Sequence, residues 1–139
     1  MYNPEAVRPM RAELTAIGAV ELLTAADVDA WIGDKRSGLL VVNSICGCAA
    51  GMARPGVAAA MRHGRRPERF ATVFAGQDQE ATARARSRFG NIPPSSPSVA
   101  LFAGGAVVDF LPRQRIEGRT AQQVAADLIA MFERHLPQA

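Results

Sequence analysis

The sequence predicts an α/β fold, in which a mixed sheet of four or five strands carries helices on both faces. Helix-like and strand-like patterns alternate through most of the chain, which is typical of parallel strands joined by helices. Residues 39–45 are apolar on both faces until Asn43, and this indicates a central, covered strand. Two later apolar runs joined by the Gly104-Gly105 pair predict a terminal antiparallel hairpin.

The individual elements follow from apolar spacing and from the residues that begin or end helices. They are, in order, a helix over 4–17, a short edge strand over 19–23, a helix over 24–33, the strand 39–45, a helix over 49–61, a strand over 70–75, a helix over 77–89, strands over 99–102 and 107–111, and a final helix after Thr120.

Proline and N-cap residues support the first half of this order. Apolar residues three and four positions apart follow Pro4, which suits the first turn of a helix. Thr24 is a preferred N-cap residue. Pro55 lies inside the fifth element and should kink it, because proline cannot donate to the carbonyl four residues back.

Three features predict the second half of this order of elements: a buried stripe, a proline-rich stretch and a capping pattern. The helix 77–89 is polar and alanine-rich, with one apolar stripe, and Gly90 should end it. Residues 91–97 contain three prolines and cannot form regular structure. Thr120 and Gln123 form a capping-box pattern at the start of the last helix.

Length and composition indicate one domain over residues 1–139. A hydrophobic content of 48% and a charged content of 21% are typical of a soluble globular protein. No apolar run approaches the ~18 residues that a membrane span needs. The first residues lack the basic-then-apolar layout of a secretory signal, so we expect a cytoplasmic protein.

The charge pattern does not favour nucleic acid or membrane partners. The net charge of +3 is carried by 15 arginines and one lysine, Lys35. The one dense basic run, 62–66, has no interleaved aromatic residues on which bases could stack. We therefore interpret it as a solvated loop after a helix.

Both cysteines of the chain, Cys46 and Cys48, lie where the central strand should turn into a helix. In a reducing cytosol such a pair is better suited to catalysis, sensing or metal binding than to a structural disulfide. The first turn of a helix lowers a thiol pKa through its free N–H groups and dipole. We expect Cys46 to be the more exposed nucleophile, and the deeper Cys48 to be the resolving thiol.

The one-residue spacer predicts an unusual disulfide. Side chains two positions apart on a helix point to nearly opposite sides, so Cys46 and Cys48 can pair only through a non-helical turn. Gly47 makes that turn accessible. The small ring should be strained, and we expect a more oxidising couple than a two-residue spacer would give.

Three alternatives to thiol exchange remain at this point. The pair could carry a metal or an iron–sulfur cluster across a dimer, although a closed site needs about four ligands and His63 and His135 lie far off in sequence. It could consist of two inert, buried cysteines. It could belong to a redox-regulated binding protein that uses a groove at 93–97 without turnover.

Pro97 is the distant residue that we expect beside the pair. A cis peptide between Ser96 and Pro97 would shape a groove next to the cysteines. The alternative is a trans proline that only begins a strand.

Residues 43–55 resemble the active-site segment of the bacilliredoxin family of thioredoxin-like proteins. The similarity runs nearly end to end and includes residues 2–4, 73–78, 92–98, 112–113 and 116–119. It implies a thioredoxin-like three-layer sandwich with a Cys-Gly-Cys active site. It also implies removal of a low-molecular-weight thiol, bacillithiol in bacteria that make it, from mixed disulfides on proteins. Some members are described as weak disulfide isomerases.

Carried over to this chain, the resemblance assigns attack and small-thiol capture to Cys46, and resolution to Cys48. Pro97 matches the cis-proline position of thioredoxin-like proteins. We expect a substrate groove formed by Asn43, Ser44, Gly47, Ser96 and Pro97. We expect no bound cofactor and no metal, the small thiol as co-substrate, S-thiolated proteins as clients, and a monomer or weak homodimer.

Overall fold

Five strands form one mixed sheet within residues 1–137, the part of the chain that the computed structural model describes. The strands are β1 (Val20–Glu21), β2 (Gly38–Asn43), β3 (Arg69–Phe74), β4 (Ser98–Ala103) and β5 (Ala106–Leu111). Their order across the sheet is β1-β3-β2-β4-β5. The predicted order of elements, the short edge strand and the central position of β2 are confirmed.

Helices connect and cover these strands. They are α1 (Pro4–Thr15), α2 (Ala25–Gly33), a π-helical turn (Ala49–Ala53) that continues into α3 (Arg54–Ala60), α4 (Gln79–Ser87), a short 3-10 turn (Arg113–Arg115) and α5 (Ala121–His135). α5 begins with the predicted capping box at Thr120, and α2 begins at the predicted N-cap Thr24, which also forms a capping box.

The sheet is parallel in its first half and antiparallel in its second. β1 and β2 both pair with β3 in parallel, whereas β4 runs antiparallel to β2, and β5 runs antiparallel to β4. The turn between β4 and β5 contains Gly104 and Gly105, both with positive φ angles that glycine adopts without strain. The predicted terminal hairpin is therefore confirmed.

Alternating side chains of β2 build two separate cores, one on each face of the sheet. Leu39 and Val41 pack with α1, α3 and α5 on one face. Leu40 and Val42 pack with α2 and α4 on the other. All six residues of β2 are buried, which is the physical reason for its uninterrupted apolar run. The molecule is a three-layer α/β sandwich.

Two predicted boundaries were wrong. The first helix ends at Thr15, and Ile17 is 40% exposed. The central strand ends at Asn43, and Ile45 is exposed beyond it. Apolar residues continued both patterns past the last hydrogen-bonded position, and apolarity alone does not reveal that end.

The helix after the cysteines also differs from the single kinked helix that we predicted. Gly47 and Cys48 already have helical backbone, Ala49–Ala53 form a π-helical turn, and regular α-helix begins only at Arg54. The wide turn ends two residues before Pro55, whose missing N–H interrupts the regular ladder. An irregularity was predicted in this segment, at Pro55, but its form, a π-helical turn before the proline, was not.

Across the described part of the chain, every helix is too short or too polar to cross a bilayer.

Candidate active site

Cys46 and Cys48 lie at the carboxyl end of the central strand β2, in the turn that leads into the π-helical segment. The Cys46 carbonyl accepts hydrogen bonds from the N–H groups of Ala49 and Ala50 at 3.1 and 3.2 Å, which begins the helix at the first cysteine. Both thiols are free and half-buried. The difference in exposure that we expected between them is therefore not evident.

The buried side chain of Arg54 supports the cysteine turn through hydrogen bonds. Arg54 is only 3% exposed, and its Nη1 donates to Asn43 Oδ1 at 3.0 Å and to the Ser44 carbonyl at 2.8 Å. Its Nε lies 3.2 Å from Glu13 Oε1 on α1, too poorly aligned for a hydrogen bond. Asn43 Nδ2 donates to the Met10 carbonyl on the same helix. One cation therefore connects the cysteine turn, α3 and α1.

The Cys46 thiol is surrounded by groups that favour its thiolate. Burial by itself would raise the pKa of Cys46, but the Ser44 hydroxyl, the N–H groups of Ala49 and Cys48 and the charge of Arg113 outweigh it. The pKa of Cys46 is consequently lower than that of an ordinary cysteine. Because the thiolate is the reactive form, Cys46 is prepared for nucleophilic attack.

The Cys48 thiol has the opposite electrostatics. Its pKa is raised by burial, by the nearby Cys46 charge and by Glu117, against a lowering contribution from Arg113. Cys48 Sγ donates to Glu117 Oε2 at 3.6 Å, and Arg113 Nη2 lies 3.8 Å from the same sulfur. Cys48 is therefore held as a thiol, beside a carboxylate and a guanidinium.

Known proteins match this chain in sequence and in fold. A family model described as "Disulphide isomerase" matches residues 2–136. Bacilliredoxin ABC2045 of Shouchella clausii is 47% identical over 135 residues, which cover 96% of this chain and 93% of that protein. A bacilliredoxin of Salinibacter ruber is 50% identical over 137 residues, covering 96% of this chain and 81% of the relative. The chain belongs to the bacilliredoxin family.

Solved structures that resemble this chain include thioredoxins. Fasciola hepatica thioredoxin superposes with a TM-score of 0.58 at 23% identity, over 83% of this chain and 97% of that one. Chlamydomonas reinhardtii thioredoxin f2 superposes with a TM-score of 0.60 at 14% identity, over 88% of this chain and 100% of that one. At these identities the likeness shows the thioredoxin fold. Family and fold together make the chain a thiol–disulfide oxidoreductase, as the resemblance implied.

The residues predicted to line the groove fall into two groups. Gly47 is exposed and Ser96 is half-buried, whereas Pro97 is buried. The assignments of Asn43 and Ser44 to the groove surface need correction, because these residues are only 1% and 9% exposed. Ser44 Oγ accepts from the Cys46 N–H at 3.3 Å, so Ser44 supports the turn from within.

The structure also brings Ser96 to the cysteines. Arg113 Nη1 donates to the Ser96 carbonyl at 3.1 Å while its Nη2 reaches Cys48 Sγ. The Arg113 N–H donates to Ser95 Oγ at 3.2 Å. The Ser96–Pro97 peptide is cis, as predicted. One arginine thus joins the segment before β4 to the cysteine turn.

From the sequence, no role was assigned to three residues of this site, Arg54, Arg113 and Glu117. Arg113 and Glu117 were noted only as parts of matching segments, and Arg54 only within the active-site segment. An Arg and a Glu four positions apart predict a local ion pair, but no spacing rule places that pair beside a cysteine 65 or more residues earlier. A lone arginine in an alanine-rich helix gives no signal of burial.

The metal alternative has few ligands on this chain. Within residues 1–137, no group of three or more His, Cys, Asp or Glu side chains is placed to hold a metal ion. His63 Nε2 lies 3.4 Å from Glu133 Oε2, and His135 Nε2 lies 3.0 Å from Asp109 Oδ2. A metal or iron–sulfur carrier built on Cys46 and Cys48 would need further ligands from outside residues 1–137 of one chain.

Proposed function

We propose that this protein reduces mixed disulfides between proteins and a low-molecular-weight thiol, with bacillithiol or an equivalent small thiol as co-substrate. Cys46 is the nucleophile and Cys48 is the resolving thiol. The observation that carries the proposal is the opposite electrostatics of the two cysteines, with the pKa lowered at Cys46 and raised at Cys48. The name bacilliredoxin, carried by relatives at 44–50% identity, supports the substrate class.

In the first step the Cys46 thiolate attacks the small-thiol sulfur of the mixed disulfide. A Cys46–small-thiol disulfide forms, and the bond to the client breaks with its electron pair on the client sulfur, which leaves as a thiolate. The low pKa of Cys46 supplies the attacking thiolate near neutral pH. The client is thereby reduced, and the small thiol is transferred to Cys46.

In the second step Cys48 attacks Cys46 Sγ. The Cys46–Cys48 disulfide forms, and the small thiol leaves with the electron pair of the broken bond. A thiol reductant then restores the two cysteines. An unequal pair suits this order, because Cys48 stays protonated and does not compete for the client while Cys46 attacks.

The surroundings of the pair suit an extended client segment. Gly47 is exposed between the cysteines, and a Cβ built there would meet no atom within 4 Å. Ser96 and Pro97 precede β4 on the neighbouring side of the site. We expect S-thiolated proteins to dock here without a bound cofactor, and a monomer or weak homodimer remains our prediction for the assembly.

Intact mass spectrometry of a Cys48→Ser variant tests this function. The variant is mixed with a panel of small-thiol disulfides that includes bacillithiol disulfide and glutathione disulfide. We expect one small-thiol adduct per chain, on Cys46, because the resolving thiol is gone. The thiol whose adduct accumulates fastest is the co-substrate.

Cys46→Ser is the matched control, and it should accumulate little adduct under the same conditions. If Cys48→Ser takes up no small thiol, or if Cys46→Ser takes it up equally well, the assignment of nucleophile and resolving thiol is wrong.

A further inference from the structure

An ion pair from the segment after β5 lies against the resolving thiol. Glu117 Oε2 is 3.6 Å from Cys48 Sγ, and the same oxygen accepts from Arg113 Nε at 3.2 Å and Nη2 at 2.9 Å. Arg113 Nη2 is in turn 3.8 Å from the sulfur. Sulfur, carboxylate and guanidinium therefore form a closed triangle.

A contribution to folding stability does not explain why this ion pair lies beside Cys48. The side chains of Arg113 and Glu117 are 38% and 59% exposed, and exposed ion pairs contribute little to folding. Yet Arg113 is anchored at two further points, through its Nη1 to the Ser96 carbonyl and through its N–H to Ser95 Oγ. This fixed arginine holds one carboxylate oxygen of Glu117 toward Cys48.

We propose that Glu117 accepts the proton of Cys48 when Cys48 attacks the mixed disulfide on Cys46, and that Arg113 positions Glu117 and stabilises the developing Cys48 thiolate. The proposal rests on the proposed function, because it assigns groups to the resolving step of that reaction. Glu117 is then a catalytic residue that touches the reacting sulfur, and Arg113 is its positioning residue.

The step balances within the site. Cys48 Sγ forms a bond to Cys46 Sγ, its proton passes to Glu117 Oε2, and the bond between Cys46 and the small thiol breaks. The electron pair of that bond leaves on the small-thiol sulfur, so the small thiol is reduced while the two cysteines are oxidised to a disulfide. Protonated Glu117 can return the proton to the departing thiolate.

The charges facing Cys48 suit this step once Cys46 carries the small thiol. The Cys46 charge that raises the pKa of Cys48 disappears when the mixed disulfide forms, which leaves Arg113 and Glu117 as its charged neighbours. Hydrogen bonds from Arg113 hold the pKa of Glu117 below its usual range, so Glu117 is an ionised acceptor at neutral pH. Cys46 has its own hydroxyl and N–H donors and needs no such base.

The test is a stopped-flow reaction of the reduced protein with a symmetric aromatic disulfide that releases a coloured thiolate. The first equivalent reports attack by Cys46, and the second reports resolution by Cys48. In Glu117→Gln we expect the second phase to slow about tenfold and the first to change less than about twofold. Added formate should restore part of the second phase, because a free carboxylate can replace the lost acceptor at this exposed site.

Glu5→Gln is the matched control, since Glu5 is also an exposed carboxylate paired with an arginine, Arg8 on α1. Both phases should stay at their wild-type rates. If Glu117→Gln leaves the second phase unchanged, accelerates it, or slows both phases equally, the proposal is overturned. If Glu117→Gln shows no first phase, the same criteria apply to Glu117→Ala, which also removes the carboxylate.

The same assay separates this inference from the proposed function. Cys48→Ser should release only one equivalent, and failure there would contradict the order of attack and resolution itself. A normal single phase in Cys48→Ser combined with a wild-type second phase in Glu117→Gln would overturn only the role of Glu117.

Discussion

Cys46 and Cys48 are two positions apart, and their surroundings differ in origin. Cys46 is influenced mainly by near neighbours in the chain, namely the Ser44 hydroxyl and the N–H groups of Cys48 and Ala49. The pKa of Cys48 is raised by burial and by the nearby Cys46 charge, and its remaining charged neighbours, Arg113 and Glu117, are 65 and 69 positions away. The nucleophile is thus prepared by its own turn, whereas the resolving thiol depends on a segment that the fold brings to it.

The two arginines of the site repeat this contrast. Arg54 supports the Cys46 side from below and is almost completely buried, with donors to Asn43 and Ser44. Arg113 supports the Cys48 side from the surface and is more than one-third exposed. Removing the first should therefore affect folding, and removing the second should affect chemistry.

The largest effect is expected for Arg54→Met. The change leaves the Ser44 carbonyl buried without its Arg54 donor and removes one of the two donors to Asn43 Oδ1, and each lost partner of this kind typically costs about 1–3 kcal/mol. We expect the free energy of unfolding to fall by about 3 kcal/mol, measured by urea denaturation. Arg113→Met is the matched control and should leave the urea midpoint nearly unchanged. Equal losses of unfolding free energy in the two variants would contradict the different roles assigned to Arg54 and Arg113.

The pH dependence of alkylation compares the two thiols directly. Cys46 should react with iodoacetamide severalfold faster than Cys48 near neutral pH, because its pKa is lowered and that of Cys48 is raised. The rate at Cys46 should rise at lower pH than the rate at Cys48, as followed by peptide mass spectrometry.

In Cys46→Ser the rise at Cys48 should move to lower pH, because the Cys46 charge that opposes its ionisation is gone. An unchanged Cys48 profile in this variant would mean that the two thiols are not coupled.

A smaller effect is expected for Ser44→Ala. Loss of the hydroxyl removes a hydrogen bond that favours the Cys46 thiolate, and the pKa of Cys46 should rise. The remaining thiolate is more basic and more nucleophilic, which offsets part of the loss. We expect the first phase of the aromatic disulfide reaction to slow about threefold at neutral pH, with the second phase unchanged. Ser87→Ala on α4, which also loses one hydroxyl hydrogen bond, should change neither phase.

An effect of similar size is expected for Gly47→Ala, between the two cysteines. Gly47 is helical in the dithiol form and a Cβ has open space, so alanine should stabilise that form by about 0.5–1 kcal/mol. The disulfide form needs a non-helical turn at Gly47, so alanine does not stabilise that form. Equilibration with glutathione buffers should therefore shift about threefold toward the dithiol.

Gly51→Ala serves as the control for this shift, because Gly51 has equal space and lies outside the cysteine pair. If Gly47→Ala favours the disulfide, the requirement for a non-helical turn is wrong.

Redox titration of the unsubstituted protein checks the predicted strain in the same buffers. A couple as reducing as thioredoxin would contradict the more oxidising potential that we expect from the one-residue spacer.

Much of the fold could be predicted because burial leaves a regular signature in the sequence. β2 reads as a continuous apolar run because its two faces meet two different cores. Capping residues marked the starts of α2 and α5 correctly, since a cap is satisfied by residues three positions away. Helix and strand ends without such a local signal, at Ile17 and Ile45, were missed.

The active site likewise contains a part that could be predicted from the sequence and a part that could not. The sequence by itself determined the cysteine pair at the end of a central strand and the preparation of Cys46, because those interactions span only a few residues. Only the tertiary structure decided that Arg54 lies buried beneath the turn and that Arg113 and Glu117 face Cys48. Such contacts depend on which distant segments the two cores bring together, and a single polar side chain leaves no periodic trace of where it will lie.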